Sequence, residues 1–148
     1  MCGFIGKFLS KKKKIIEPKN FYKRGPDSYG HYSDEKLSVI FRRLAIVDKS
    51  DNANQPYNDN EQYVLVFNGE IYNYLELRDE LISKGIKFKS DSDTEVLYHL
   101  LINQGIDSLN KVNGIFAFAF YNKQSEHLIL GRDFIGVKPM YINFDDGV

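Results

Sequence analysis

Cysteine occurs once in these 148 residues. A lone thiol excludes an internal disulfide framework and a zinc site built from several cysteines. Excess charge of either sign is missing as well: 20 lysines and arginines balance 20 aspartates and glutamates, for a formal net charge of +0. Such a balance gives no global attraction to nucleic acid or to an anionic membrane. No apolar run is long enough to span a bilayer, and the first residues lack the apolar core of a signal peptide. Cytoplasm is therefore the default expectation. Internal repeats and low-complexity linkers are also missing. The remaining composition, 43% hydrophobic and 27% charged, is that of one soluble globular domain.

The apolar pattern then shows strands and helices in turn. "GFIGKF" at residues 3–8 reads as a short, largely buried strand. "YGHYS" and "LSVIFRRLAI" flank the polar turn Ser33–Lys36 and read as a hairpin. "YVLVF", residues 63–67, is uninterrupted and so reads as a strand covered on both faces. Tyr74 to Lys84 places Tyr74, Leu77 and Leu81 on one helical face, with Gly85 as the stop. Ser92 to Asn103 opens on "SDTE", a capping box in which Ser92 and Glu95 answer orphan backbone donors. A shorter helix is expected at 107–112. "IFAFAFY", residues 115–121, alternates phenylalanine and alanine, so both faces need cover and the alanine face needs a close neighbour. The turn Asn122–Ser125 and the strand "HLILG" complete a second hairpin. These elements predict antiparallel sheets layered with helices. The run Lys11 to Lys14 reads as a solvated loop, and a nucleic-acid role would rest on it alone.

The one cysteine stands directly behind Met1. Methionine aminopeptidases generally remove Met1 when the next residue is small, as cysteine is. Cys2 would then carry a free α-amine, a group that ordinarily titrates at about 7.7–8.0. Nucleophile and general base would share one residue. A lone cysteine is otherwise usually inert.

At Asn68-Gly69-Glu70 the apolar strand is expected to end. Asn-Gly is a turn signal, yet a helix follows rather than the returning strand of a hairpin. An asparagine amide beside a glycine N–H offers two convergent donors to a developing oxyanion. Arg43 reads either as a surface arginine with a packed stem or as a fork for an α-carboxylate. Asp93 reads either as a helix-dipole partner or as the acceptor of an α-ammonium. His31, His99 and His127 have no metal-ligand spacing, read as structural or exposed, and imply no metal site. "GVKPMY" is not a phosphate-binding loop.

In order, "MCGFIG", "RGPDSYG", "RLAIVD", "QP" at Gln55-Pro56, "FNGEIYNY", "SDTEV", "GIFAFAFY" and "GRDFIGVKPMY" run nearly the whole chain. Together they resemble the glutaminase domain of asparagine synthetases, among the class II glutamine amidotransferases, which are N-terminal-nucleophile hydrolases. The resemblance implies an α+β fold, a four-layer αββα sandwich of two antiparallel sheets between helical layers, here incomplete at its C-terminal end. It implies glutamine as substrate, a glutamyl thioester, and ammonia passed to an ATP-dependent synthetase domain beyond residues 1–148. No cofactor is implied for the present residues; ATP and magnesium would serve the synthetase domain, and a homodimer is compatible. Carried over, Cys2 is the nucleophile and its α-amine the base. Asn68 and Gly69 form the oxyanion hole, and Arg43 holds the glutamine carboxylate. The backbone of Leu44, Ala45, Ile46 and Val47 lines the pocket, while Glu70 and Asp93 surround the α-amine. Arg24 shapes the loop facing the nucleophile. Departures from the family pattern are Lys23 and Phe41, where histidines are common, and a short lysine-rich stretch before Arg24. Some relatives of this branch amidate sugars or peptides instead of aspartate. The alternative of another class is a glutamine-binding remnant without turnover.

Overall fold

Two antiparallel three-stranded sheets face each other in the computed structural model, which describes residues 2–9, 15–59 and 62–144. The first sheet contains β1 (Gly3–Phe8), β2 (Ser28–Ser33) and β3 (Leu37–Arg43), in the order β1-β3-β2. The second contains β4 (Tyr63–Ile71), β5 (Gly114–Asn122) and β6 (His127–Arg132), in sequence order. Between β4 and β5 run α1 (Tyr74–Ser83) and α2 (Asp93–Gln104). Lys11 to Lys14 lie outside the described residues.

Strand alternation decides the layers. On β5, Phe116, Phe118 and Phe120 join Leu65, Phe67 and Ile71 of β4 against Leu77, Leu81, Val96, Leu97, Leu100 and Leu101 of the helices. On the other face, Ala119 and Tyr121 join Val64 and Val66 against Leu37, Val39 and Phe41 of the first sheet. The small alanine face therefore meets the opposing sheet, the close neighbour its size required. Phe41, a departure from the family's histidine, is fully buried in that seam. Both helices thus cover one outer face of the sandwich. The outer face of the first sheet is covered in part by the segment ahead of β2, where Glu17 holds Arg42 through two hydrogen bonds of 2.7 and 3.0 Å. That segment forms only a 3-10 turn, Phe21–Arg24, among the described residues.

Several boundaries differ from expectation. β3 stops at Arg43 rather than running on to Ile46, because Leu44 and Ala45 turn their N–H groups to Cys2 and Asp27. β4 does not end at Asn68 but continues to Ile71, since Asn68, Gly69, Glu70 and Ile71 pair with Ala117, Phe116, Ile115 and Gly114. The segment at 107–112 is a 3-10 helix, Ile106–Lys111. The capping box is half formed. Glu95 N–H donates to Ser92 Oγ at 3.2 Å, but the Glu95 carboxylate turns inward to accept from Lys89 N and Ser90 N instead.

Candidate active site

Cys2 immediately precedes β1, and the pairing of Gly3 with Arg42 brings it beside the end of β3. Its side chain points into the seam between the sheets, with Phe4 and Phe8. There the sulfur rests on Leu44, accepting from Leu44 N at 3.3 Å and lying 3.5 Å from Leu44 O. The "RGPD" motif supports this arrangement from below. Arg24 Nη2 donates to the Cys2 carbonyl at 3.3 Å. A side chain at Gly25 would strike the Arg42 carbonyl 2.5 Å away, so only glycine lets the chain pass. Asp27 then accepts from Ala45 N at 2.8 Å and fixes the turn after Arg43.

Across the seam, β4 forms the edge of its sheet, and its outward N–H groups belong to alternate residues. Leu65 N donates to Tyr57 O at 2.9 Å. Phe67 N donates to Gln55 Oε1 at 2.6 Å. Ile71 N donates to Asp93 Oδ2 at 3.1 Å. Gly69 lies between the last two, and by the same alternation its N–H points outward. Its partner across the sheet, Phe116, is turned away, with its N–H on Asp133 Oδ2 and its carbonyl taking Asp133 N. Gly69 N–H thus has no acceptor among the described residues and opens on the cleft. A side chain here would run into Ile115 O at 2.3 Å and Phe116 Cα at 2.6 Å, which reserves the position for glycine. Asn68, 7% exposed, points the other way, toward the seam that holds Cys2.

The cleft has a volume of about 110 Å³, well below the roughly 300–1,000 Å³ typical of sites for larger ligands. Cys2, Asn68 and Gly69 share it with Arg43, Glu70 and Asp93. Of the expected backbone wall, Leu44, Ile46 and Val47 line the cleft; Ala45 does not, its N–H being spent on Asp27. Arg43 is 7% exposed. Its guanidinium holds Ser50 O at 3.0 Å, Asn54 Oδ1 at 2.9 Å and also Asp48 O, so it shapes the 44–54 loop as well as facing the cleft. Asp93 is 6% exposed, and burial, with a smaller contribution from the neighbouring Glu70 charge, pushes its carboxyl up to about 6.

The cleft residues Thr94, Lys138 and Gln55 were visible in sequence only as members of the resemblance motifs, with no role assigned to them. Thr94 comes from α2. Lys138 comes from the loop after β6, whose turn Asp133 ties down through Val137 N at 2.8 Å and Lys138 N at 3.0 Å. Gln55 was visible only as half of a "QP" motif. His31 and His127 are exposed, and His99 lies on α2 against the Phe88 ring. Among the described residues no group of three or more His, Cys, Asp and Glu could hold a metal ion, and no helix is long and apolar enough to cross a membrane.

The sandwich is shared with solved structures. Glutamine phosphoribosylpyrophosphate amidotransferase from B. subtilis, complexed with ADP and GMP, matches with a TM-score of 0.53 and 28% identity, over 65% of this chain and 23% of that one. The fold is that of the N-terminal-nucleophile amidotransferases. The chain belongs to the glutamine amidotransferase domain family, whose model matches residues 1–147. Its sequence relatives include asparagine synthetase [glutamine-hydrolyzing] 1 of Bacillus subtilis (strain 168), 42% identical over 95% of this chain and 24% of the relative. Asparagine synthetase B [glutamine-hydrolyzing] of Escherichia coli (strain K12) is 35% identical over 99% of this chain and 27% of the relative. The chain spans about a quarter of the length of these relatives.

Proposed function

We propose that this chain hydrolyses glutamine to glutamate and ammonia through a thioester on Cys2, as the glutaminase portion of an asparagine synthetase-type enzyme. The observation that carries the reading is the unanswered Gly69 N–H on the edge of β4, opening on the same cleft as Asn68 and Cys2. Once Met1 is removed, the Cys2 α-amine takes the thiol proton as sulfur attacks the side-chain carbonyl carbon of glutamine. The Asn68 amide and Gly69 N–H receive the negative oxygen, where pre-aimed donors act with little reorganisation. Collapse breaks the C–N bond, and the proton held by the α-amine leaves with ammonia. Water, deprotonated by the same amine, then attacks the thioester and restores the thiol.

Arg43 pairs with the α-carboxylate, while Asp93 and Glu70 receive the α-ammonium. Arg24, through the Cys2 carbonyl, holds the leading residue in register. Ammonia then serves the amidation of aspartate, with ATP and magnesium acting in a synthetase domain outside these residues, in the cytoplasm.

Incubation with a diazo-ketone analogue of glutamine tests the reading. Intact mass should show Met1 gone and one adduct on Cys2, and glutamine should yield glutamate and ammonia in equal amounts. A processed, folded chain that takes no label and releases no ammonia would overturn it.

A further inference from the structure

Gln55 is buried, yet its side chain does not reach toward the reacting atoms. Its amide lies alongside Phe67 as a neighbouring strand would: Oε1 accepts from Phe67 N at 2.6 Å and Nε2 donates to Phe67 O at 3.1 Å. The same Nε2 lies 3.2 Å from Thr94 Oγ1, on the first turn of α2. One side chain therefore touches both walls of the cleft. Phe67 is two residues before Gly69 on the same strand edge, and Thr94 directly follows Asp93. The main chain of Gln55 is itself confined, since a Cβ at Gly30 of β2 would fall 1.7 Å from Gln55 O.

We infer that Gln55 is a positioning residue for glutamine hydrolysis: its amide, alongside the direct Ile71 N–Asp93 Oδ2 bond of 3.1 Å, sets the separation between the Gly69 N–H, which receives the oxyanion, and the Asp93 carboxylate, which receives the substrate amine. This rests on the glutaminase reading above. A free amino acid spans that separation with its own carbon chain, so both ends bind well only when the two walls keep one distance. An extended substrate tied at one end tolerates slack; one tied at both ends does not, and misplacement of about 1 Å can cost as much as 100-fold in rate. Gln55 thus acts through Phe67 and Thr94 rather than on the substrate.

The test compares kcat/KM for glutamine with kcat/KM for glutaramate, which has the same amide and carboxylate but no α-amine. The variants are Gln55→Met, which removes the amide, Thr94→Val, which removes only the tie between Gln55 and α2 and leaves the Ile71–Asp93 bond, and Thr94→Ser, which keeps both. In Gln55→Met and Thr94→Val the preference for glutamine over glutaramate should fall roughly tenfold, while Thr94→Ser retains it. A purely structural defect lowers turnover of both substrates equally and leaves the preference unchanged. Thr94→Val is close in shape to the native residue and leaves the Gln55–Phe67 bonds in place, so it remains decisive should Gln55→Met fail to fold. A parent chain that hydrolyses glutamine, with both variants keeping its preference, overturns the role of Gln55 alone. A processed parent chain that hydrolyses neither compound overturns the glutaminase reading, and this inference with it.

Discussion

Asp93 and Glu95 stand two residues apart at the start of α2, both buried, and their surroundings drive them in opposite directions. Glu95 accepts from Lys89 N at 2.9 Å, Ser90 N at 2.7 Å and Ser90 Oγ at 2.5 Å, and the His99 ring approaches it, Nε2 lying 3.6 Å from Oε1 without a hydrogen bond. Burial alone would raise its carboxyl, but these groups overcome that and hold it down at about 2. Asp93 faces the cleft with Ile71 N and the backbone of its own helix turn, and burial prevails.

The raised carboxyl of Asp93 has a definite sign in pH. Its folded value of about 6 lies above the ordinary 3.8, so its contribution is favourable below 3.8 and is lost as pH rises through 6. Holding Asp93 ionised then costs about 3 kcal/mol at neutral pH. Asp93→Asn should raise the melting temperature at pH 8, with the gain disappearing near pH 3.5. It should also raise KM for glutamine, and in the parent chain KM should climb as pH falls below about 6. A melting temperature that drops at pH 8 in Asp93→Asn would contradict this.

Glu95 has the reverse sign. Its stabilisation is present above the ordinary 4.5 and is lost as pH falls toward 2. Glu95→Gln keeps one acceptor oxygen but places an NH2 against either Lys89 N or Ser90 N, and should cost about 2–3 kcal/mol at pH 7. Urea denaturation at pH 7 and pH 3 checks this: the deficit should shrink at the lower pH.

Removing an oxyanion donor should affect turnover rather than binding. Asn68→Ala is expected to lower kcat about 10²–10³-fold with little change in KM. Gly69→Ala keeps the backbone N–H but displaces it, and should lose about 1–3 kcal/mol of stability, because its methyl group meets the backbone of Ile115 and Phe116. Steady-state kinetics beside thermal melts separates the two effects.

Arg43→Lys keeps the charge but loses the fork that holds Asp48 O, Ser50 O and Asn54. KM for glutamine should rise roughly tenfold or more, since lysine cannot reproduce paired donors. The kcat should change little. An unaltered KM would place the substrate carboxylate elsewhere.

Much of the sandwich could be read from side-chain size and alternation. "IFAFAFY" specified a large face and a small one, and the structure places helices on the first and a sheet on the second. Rare or paired residue types, Cys2 and Asn68-Gly69, drew attention in the sequence, and the structure brings them to one cleft. The cleft was not legible where a side chain substitutes for backbone. Gln55 completes a strand edge, and Glu95 leaves its capping box to order residues 89–90; nothing in local sequence marks those partners. The end of β4 was misplaced for a related reason. Asn-Gly is a turn signal locally, and it was outweighed by continued pairing with β5 up to Gly114.

The closed edge of β4 also bears on self-association. A bare border strand invites a foreign chain to add itself, a route to fibres. Tyr57, the Gln55 amide and the Asp93 carboxylate occupy that border at Leu65, Phe67 and Ile71, leaving between Leu65 and Ile71 a vacancy one residue wide among the described residues. An intruding strand needs a row of free positions and finds none, whereas a single negatively charged oxygen needs only the one that is left.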